Sequence, residues 1–269
     1  MSRIGRIGAV WLVGVAAAVL VDAGARATVT QSGGRTIVIA ELFTSEGCSS
    51  CPAADDLLRR LLSTQPVEGV EIVALGSHVD YWDRLGWRDP FSSALFSARQ
   101  SAYDAAVFRS DRIYTPQMVV DGTLEVLGSD AAAVRRTVLK AAAQPKGVVS
   151  VMARQDGRER ARVDVRVEMP ASMASRRIAD IVVAMTEDGL VTHVNRGENG
   201  GRTLSHSAVV RSLKVAGQLN ADEGTAFATT AVSLGSDWKT ANLRVVAFVQ
   251  EQASRRILGG GSSPLGQDR

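Results

Sequence analysis

Lysine, histidine and cysteine are all scarce in this 269-residue chain, and each shortage removes a class of chemistry. The four lysines (Lys140, Lys146, Lys214, Lys239) are scattered, and no Lys/Arg face interleaved with aromatics exists of the kind nucleic-acid binding needs. Three histidines and one Cys-x-x-Cys fall short of a closed zinc site. No Gly-Lys-Ser/Thr follows the glycine-rich stretch 195–202, so it is not a phosphate loop. No internal repeat runs through the chain. The only cysteines are Cys48 and Cys51, and with none between the N-terminal apolar run and Cys48 a lipoprotein anchor is not expected.

What is present begins with an export pattern. Arg3 and Arg6 precede an apolar run from Ala9 to Val21, shorter than a membrane span, and Ala25-Arg26-Ala27 supplies small residues at a cleavage site. Residues 1–27 therefore read as a cleaved signal peptide, with an uncleaved anchor as the alternative. Arg3 and Arg6 are not adjacent, so a twin-arginine signal is not supported. Removing 1–27 takes away Arg3, Arg6 and Arg26 but one acid, Asp22, and the formal charge falls from +3 to +1. The expected location is periplasmic or secreted, where disulfides persist. Membrane contact is expected only through the signal segment.

The next part alternates strand and helix. Ile37–Phe43 is a short apolar run of buried-strand type, and Ala54, Leu57, Leu58, Leu61 and Leu62 give the following segment one apolar helical face. Val70–Gly76 reads as a second strand, and a helix is predicted from about Phe91 to Val107. Asp121-Gly122 between two alternating runs signals a hairpin, and Ser129 or Asp130 can cap a last helix to about Ala143. After Pro145 the period becomes two. Val148–Ala153, Ala161–Glu168, Ile178–Thr186, Val191–Val194, Ser207–Leu213, Phe227–Leu234 and Leu243–Glu251 read as strands, which predicts a β-sandwich-like domain over 147–258. The glycine-rich tail 259–269 is expected to be disordered.

Cys48-Ser49-Ser50-Cys51 falls where the first strand runs into its helix. A helix N-terminus stabilises a thiolate, and a second cysteine three residues on can resolve a mixed disulfide. As a mere staple the pair is poor: closing four residues gains about 2 kcal/mol against about 3 for a 15-residue loop. Cys48 is expected to be the more exposed, attacking thiol, capping the helix, with Cys51 one turn in. Nothing basic lies between Glu41 and Leu58, and Glu46 opposes a thiolate, so only a moderately lowered pKa is expected.

The order strand, helix, strand, helix, Pro-led hairpin, helix over 36–145, with the cysteines after the first strand and Thr115-Pro116 before the hairpin, resembles the thioredoxin fold. The resemblance implies a cis Pro116 packed against the cysteines. The strings Glu41–Pro52, His78–Asp83, Leu85-Gly86-Trp87, Tyr114–Gly122, Arg196–Asn199 and Arg202-Thr203-Leu204 resemble the secreted thioredoxin-like family catalogued as domain of unknown function 1223. The combined expectation is an α/β thioredoxin-like domain followed by an all-β sandwich-like domain. Its expected role is an exported thiol–disulfide oxidoreductase of reductase or isomerase type, acting on exported protein thiols or disulfides without a cofactor. The alternative is a copper-handling or partner-binding module without turnover, with Cys48, Cys51 and His78 as the soft ligand set.

Further candidates cluster around that centre. Glu41, on the first strand, either takes up the resolving cysteine's proton or faces solvent. His78 and Asp80 follow the second strand at the edge where ligands bind. Tyr81, Trp82 and Trp87, with Thr115, form either a lip for a peptide partner or satellite packing. Arg196 and Arg202 either grip an acidic group or hold a hairpin by salt bridges, with His193 and His206 flanking it.

Overall fold

The apolar run at residues 37–43 has two faces to fill, and period-two alternation assigns each side chain to one of them. A computed structural model describes residues 34–173, 178–220 and 224–266, with Met1. The signal reading of 1–27, Met1 apart, and the last three tail residues lie outside the described residues. Strand β1 (Thr36–Thr44) pairs in parallel with β2 (Val70–His78) across the helix α1 (Cys51–Thr64). Val38, Ala40 and Leu42 face α1, packing with Ala54, Leu57, Leu58 and Leu61. Ile37, Ile39 and Phe43 face the other way, against Phe96 and Tyr103 of α2 (Ala94–Tyr103).

β3 (Gln117–Val120) and β4 (Leu124–Leu127) form the expected hairpin, with Asp121 and Gly122 both at positive φ (48° and 75°) in its turn. α3 (Ala131–Ala142) is capped by the Asp130 carboxylate, which accepts from Ala133 N–H at 2.9 Å. The second half supplies β5 (Val148–Gln155), β6 (Arg160–Glu168), β7 (Ile178–Glu187), β8 (Leu190–His193), β9 (Thr203–His206), β10 (Val209–Asn220), β11 (Thr225–Ser233), β12 (Leu243–Glu251) and β13 (Ile257–Pro264).

The two-part architecture expected from the sequence is not the one found. A mixed eight-stranded sheet runs in the order β13-β12-β7-β10-β2-β1-β3-β4, so four strands from the second half continue the sheet begun by the first. The joint is at β2, where Gly76 N–H donates to Ala208 O at 2.7 Å and Val209 pairs in parallel with Gly76. One core accordingly mixes Phe43, Val73 and Phe96 with Val182, Val210 and Phe248. The described residues contain three α-helices against thirteen strands, and the chain is neither a thioredoxin-like α/β domain nor such a domain followed by a sandwich. The remaining strands β11-β6-β5 form a three-stranded sheet that packs Val151, Val163 and Val165 on Ile181, Val183, Val245 and Ala247.

The tail is the second correction. Gly259–Pro264 lies in β13, paired antiparallel with β12. Its glycines serve close approach: a Cβ at Gly260 would stand 2.9 Å from Ile39 Cδ1, and one at Gly261 2.1 Å from Val149 O. The sheet curls far enough that Ile257 N–H donates to Asp121 O at 3.0 Å.

Candidate functional site

Cys51 opens α1 and Ser50 is its N-cap, so Cys48 lies just outside the helix rather than capping it. The two cysteines form a disulfide. Ser49 and Ser50 between them are exposed, but the cysteines are not: Cys48 is 1% and Cys51 0% accessible. The expected exposure of Cys48 is therefore not observed, and the reason lies in what covers it. Ser50 Oγ, a potential donor, is 3.3 Å from Cys48 Sγ, and Thr115 O is 3.9 Å from it. The Thr115–Pro116 peptide is cis, and Pro116 is buried beside this contact.

Trp82 and Trp87 close the flank. Trp82 donates its indole N–H to Thr115 Oγ1 at 2.8 Å and lies against Gly47, whose Cβ would meet Trp82 Cβ at 3.1 Å. Trp87 donates to Glu46 Oε2 at 2.7 Å, and Tyr81 OH donates to Gln100 Oε1 at 3.1 Å. All three aromatics are half-buried and hydrogen-bonded instead of forming a free lip: Trp82 and Trp87 wall the centre, and Tyr81 packs on the core beside α2.

Beneath the wall is a buried set of ionisable groups. Glu46 Oε1 is 3.0 Å from His206 Nε2, and His206 Nδ1 lies 3.7 Å from Asp55 Oδ2 with no hydrogen-bond partner. His78 Nδ1 meets Asp89 Oδ2 at 2.6 Å, while the His78 and His206 rings pack edge to face at 4.9 Å. Burial pushes the Asp55 carboxyl above its usual range, only partly opposed by His206 and His78. Burial disfavours the His78 imidazolium, yet the Asp89 carboxylate, with Asp55 and Glu46 adding to it, outweighs burial and raises the His78 pKa. For Asp89 the same burial is overcome by His78 and by the N–H groups of Glu46 and Phe91, which hold the carboxyl below its usual range.

Glu41 is buried, at 1%, but on the face of β1 turned away from α1. Its carboxylate accepts from Arg99 Nε at 2.8 and 3.0 Å, Ser77 Oγ at 3.1 Å and Tyr103 OH at 3.1 Å. It neither faces solvent nor lies beneath the disulfide. The copper set is not assembled either: among the described residues no three His, Cys, Asp or Glu side chains have a metal-holding arrangement, and His78 is bonded to Asp89. Asp80 accepts from Ser97 Oγ at 2.5 Å. His193 is exposed, and Arg196 is exposed with it.

The second half reaches the cysteines through the turn between β8 and β9. Asn199 Nδ2 donates to Glu46 O at 2.8 Å and Cys48 O at 3.0 Å, its Oδ1 accepts from Arg202 at 2.7 Å, and Glu198 Oε2 accepts from Ser49 N–H at 2.9 Å. Hydrogen bonds from Ser49 keep the exposed Glu198 carboxyl below its usual range. No sequence motif marks Asp55, Asp89, Asn199 or Glu46 as parts of one site. The sequence signal closest to them was the pair of strings around Glu46 and Glu198-Asn199, which gave no hint that the two touch.

The chain belongs to a family described as protein of unknown function (DUF1223), whose model matches residues 39–250. It is similar to the solved structure of protein AGR_C_4864 from Agrobacterium tumefaciens, at 27% identity and TM-score 0.64, covering 87% of this chain and 96% of that one. HBP35 of Porphyromonas gingivalis shares the fold at 14% identity and TM-score 0.64, covering 86% of this chain and 76% of that one. No curated protein matches the chain. Among the described residues no helix is long and apolar enough to cross a membrane.

Proposed function

We propose that this chain is an exported thiol–disulfide oxidoreductase of reductase or isomerase type, acting through Cys48 and Cys51 on the thiols or disulfides of other exported proteins. The observation that carries the reading is the disulfide at the start of α1 with the Ser50 hydroxyl against Cys48 Sγ. A hydroxyl donor and the end of a 14-residue helix both favour a thiolate there once the pair is reduced. In the forward step Cys48 thiolate attacks one sulfur of a partner disulfide, and the partner's other sulfur leaves as a thiolate. Cys51 thiolate then attacks Cys48 Sγ, closes the intramolecular disulfide and releases the partner's second thiol. Two electrons pass to the partner, and a dithiol donor of the same compartment must return them.

Export is supported by the basic, apolar and small-residue pattern of 1–27, and a partner reaching Cys48 would meet the wall to which Trp82, Thr115 and Trp87 belong. A second reading, a partner-binding module whose disulfide does not turn over, is favoured by the burial of both sulfurs. Mixing the reduced protein with insulin separates the two. Exchange predicts one dithiol oxidised per insulin disulfide opened, abolished in Cys48→Ala. Persistence of the protein thiols in the presence of excess insulin would leave the non-catalytic reading.

A further inference from the structure

We propose that the β8–β9 turn, residues 194–202, is a built-in cover over the Cys48–Cys51 pair, so that access to the sulfurs is set by its opening. The inference rests on the reading of that pair as an exchange site, and it concerns the regulation of the same site. Residues 195–198 and 200–202 of the turn are exposed, yet Asn199 between them is 0% accessible. An amide inserted from an otherwise exposed turn, spending both hydrogens on the carbonyls of Glu46 and Cys48, holds the cysteine loop from 151 residues away. Glu198 takes the Ser49 N–H, the backbone donor beside Cys48 that an incoming polypeptide chain would otherwise reach. The turn also locks onto the tryptophan wall. Gly197 (φ 77°) sits in a conformation that favours glycine and packs tightly there, since a Cβ would stand 3.1 Å from Trp87 Cβ, and Gly86 (φ 104°) lies against it.

The same turn stands apart from the main sheet. β8 and β9 pair with each other in a separate two-stranded sheet and not with the eight-stranded one. At its base His206 stays anchored on Glu46, so lifting the tip breaks the Asn199 and Glu198 bonds without dismantling the core.

The test is the rate at which dithiothreitol, a neutral reductant, opens the Cys48–Cys51 disulfide, read by alkylation and mass spectrometry of the full chain. Wild type is expected to approach a plateau at high dithiothreitol, where opening limits the rate. Asn199→Ala is expected to react about tenfold faster, and Glu198→Ala several-fold faster, because each loses hydrogen bonds that hold the closed state. Glu198→Gln, which keeps an acceptor for Ser49, should stay near wild type and separates the bond from the charge. Glu198 is fully exposed, so its variants decide the matter if Asn199→Ala fails to fold. Equal rates in wild type and Glu198→Ala, rising linearly with reductant, would overturn the cover. Faster reduction in the variants with no insulin exchange by any of the proteins would keep the cover and remove the oxidoreductase reading. Insulin exchange with unaltered dithiothreitol rates would do the reverse.

Discussion

Glu41 shows how one residue of register reassigns a role. In sequence it is an acid seven positions before Cys48, and proximity recommends it as a proton acceptor. Strand geometry turns it to the opposite face, where it pairs with Arg99. Glu41→Gln should therefore leave thiol–disulfide exchange rates unchanged across pH while destabilising the fold on the order of 3 kcal/mol, since it uncouples a buried pair. Urea unfolding beside an exchange assay checks both halves. The buried His78–Asp89 pair makes a pH prediction. A raised histidine pKa gives stability that is fully present below the unfolded value of about 6.5 and lost as pH rises through the folded one. Asp89, lowered, contributes stability present above its unfolded value and lost as pH falls through the folded one, while Asp55, raised, contributes in the opposite sense. Wild type should thus lose stability on the alkaline side of about 6.5, and His78→Gln should lack that limb while being about 3–5 kcal/mol less stable. Unfolding free energies measured at several pH values report it; a parallel alkaline decline in the variant would contradict it.

Elements carried by a strong local pattern were legible before the structure. β1, β2, the Asp121-Gly122 hairpin and α3 all lie where apolar periodicity, turn chemistry and capping residues put them, because those signals act within a few residues. β13 was not legible. Gly259, Gly260 and Gly261 look like linker composition, yet they are small because Ile39 and the backbones of Gly147 and Val149 crowd them, a cause residing more than a hundred residues away. Gly261→Ala should accordingly lower stability by about 1–3 kcal/mol through overpacking, visible as a shift in the urea midpoint with little change in slope. A tail without structural work would tolerate the change. The same distance effect hid the cover: nothing near Asn199 in sequence says that its amide ends on the Cys48 carbonyl.

At the scale of the whole molecule, local pattern and observed architecture part at one joint. Period two after Pro145 marks strands, which the structure contains, but it does not say which strand pairs with the open edge of β2, and a separate sandwich does not form. β10 takes that edge, and the core on one side of the sheet is then shared by both halves. Residues 36–145 expressed alone would lose Val182, Val210 and Phe248 from the core they share with Val73 and Leu75, so the fragment is expected to show no cooperative thermal unfolding by circular dichroism; a sharp transition would reinstate two independent units. The same joint brings the second half's turn onto the first half's cysteines and makes the candidate site a product of the whole chain. Its chemistry is most directly tested by trapping. Cys51→Ala, reduced and incubated with a disulfide-containing protein, is predicted to accumulate a mixed disulfide on Cys48, whereas Cys48→Ala should accumulate none on Cys51. Absence of any adduct on Cys48, or equal capture by either cysteine, would contradict the account.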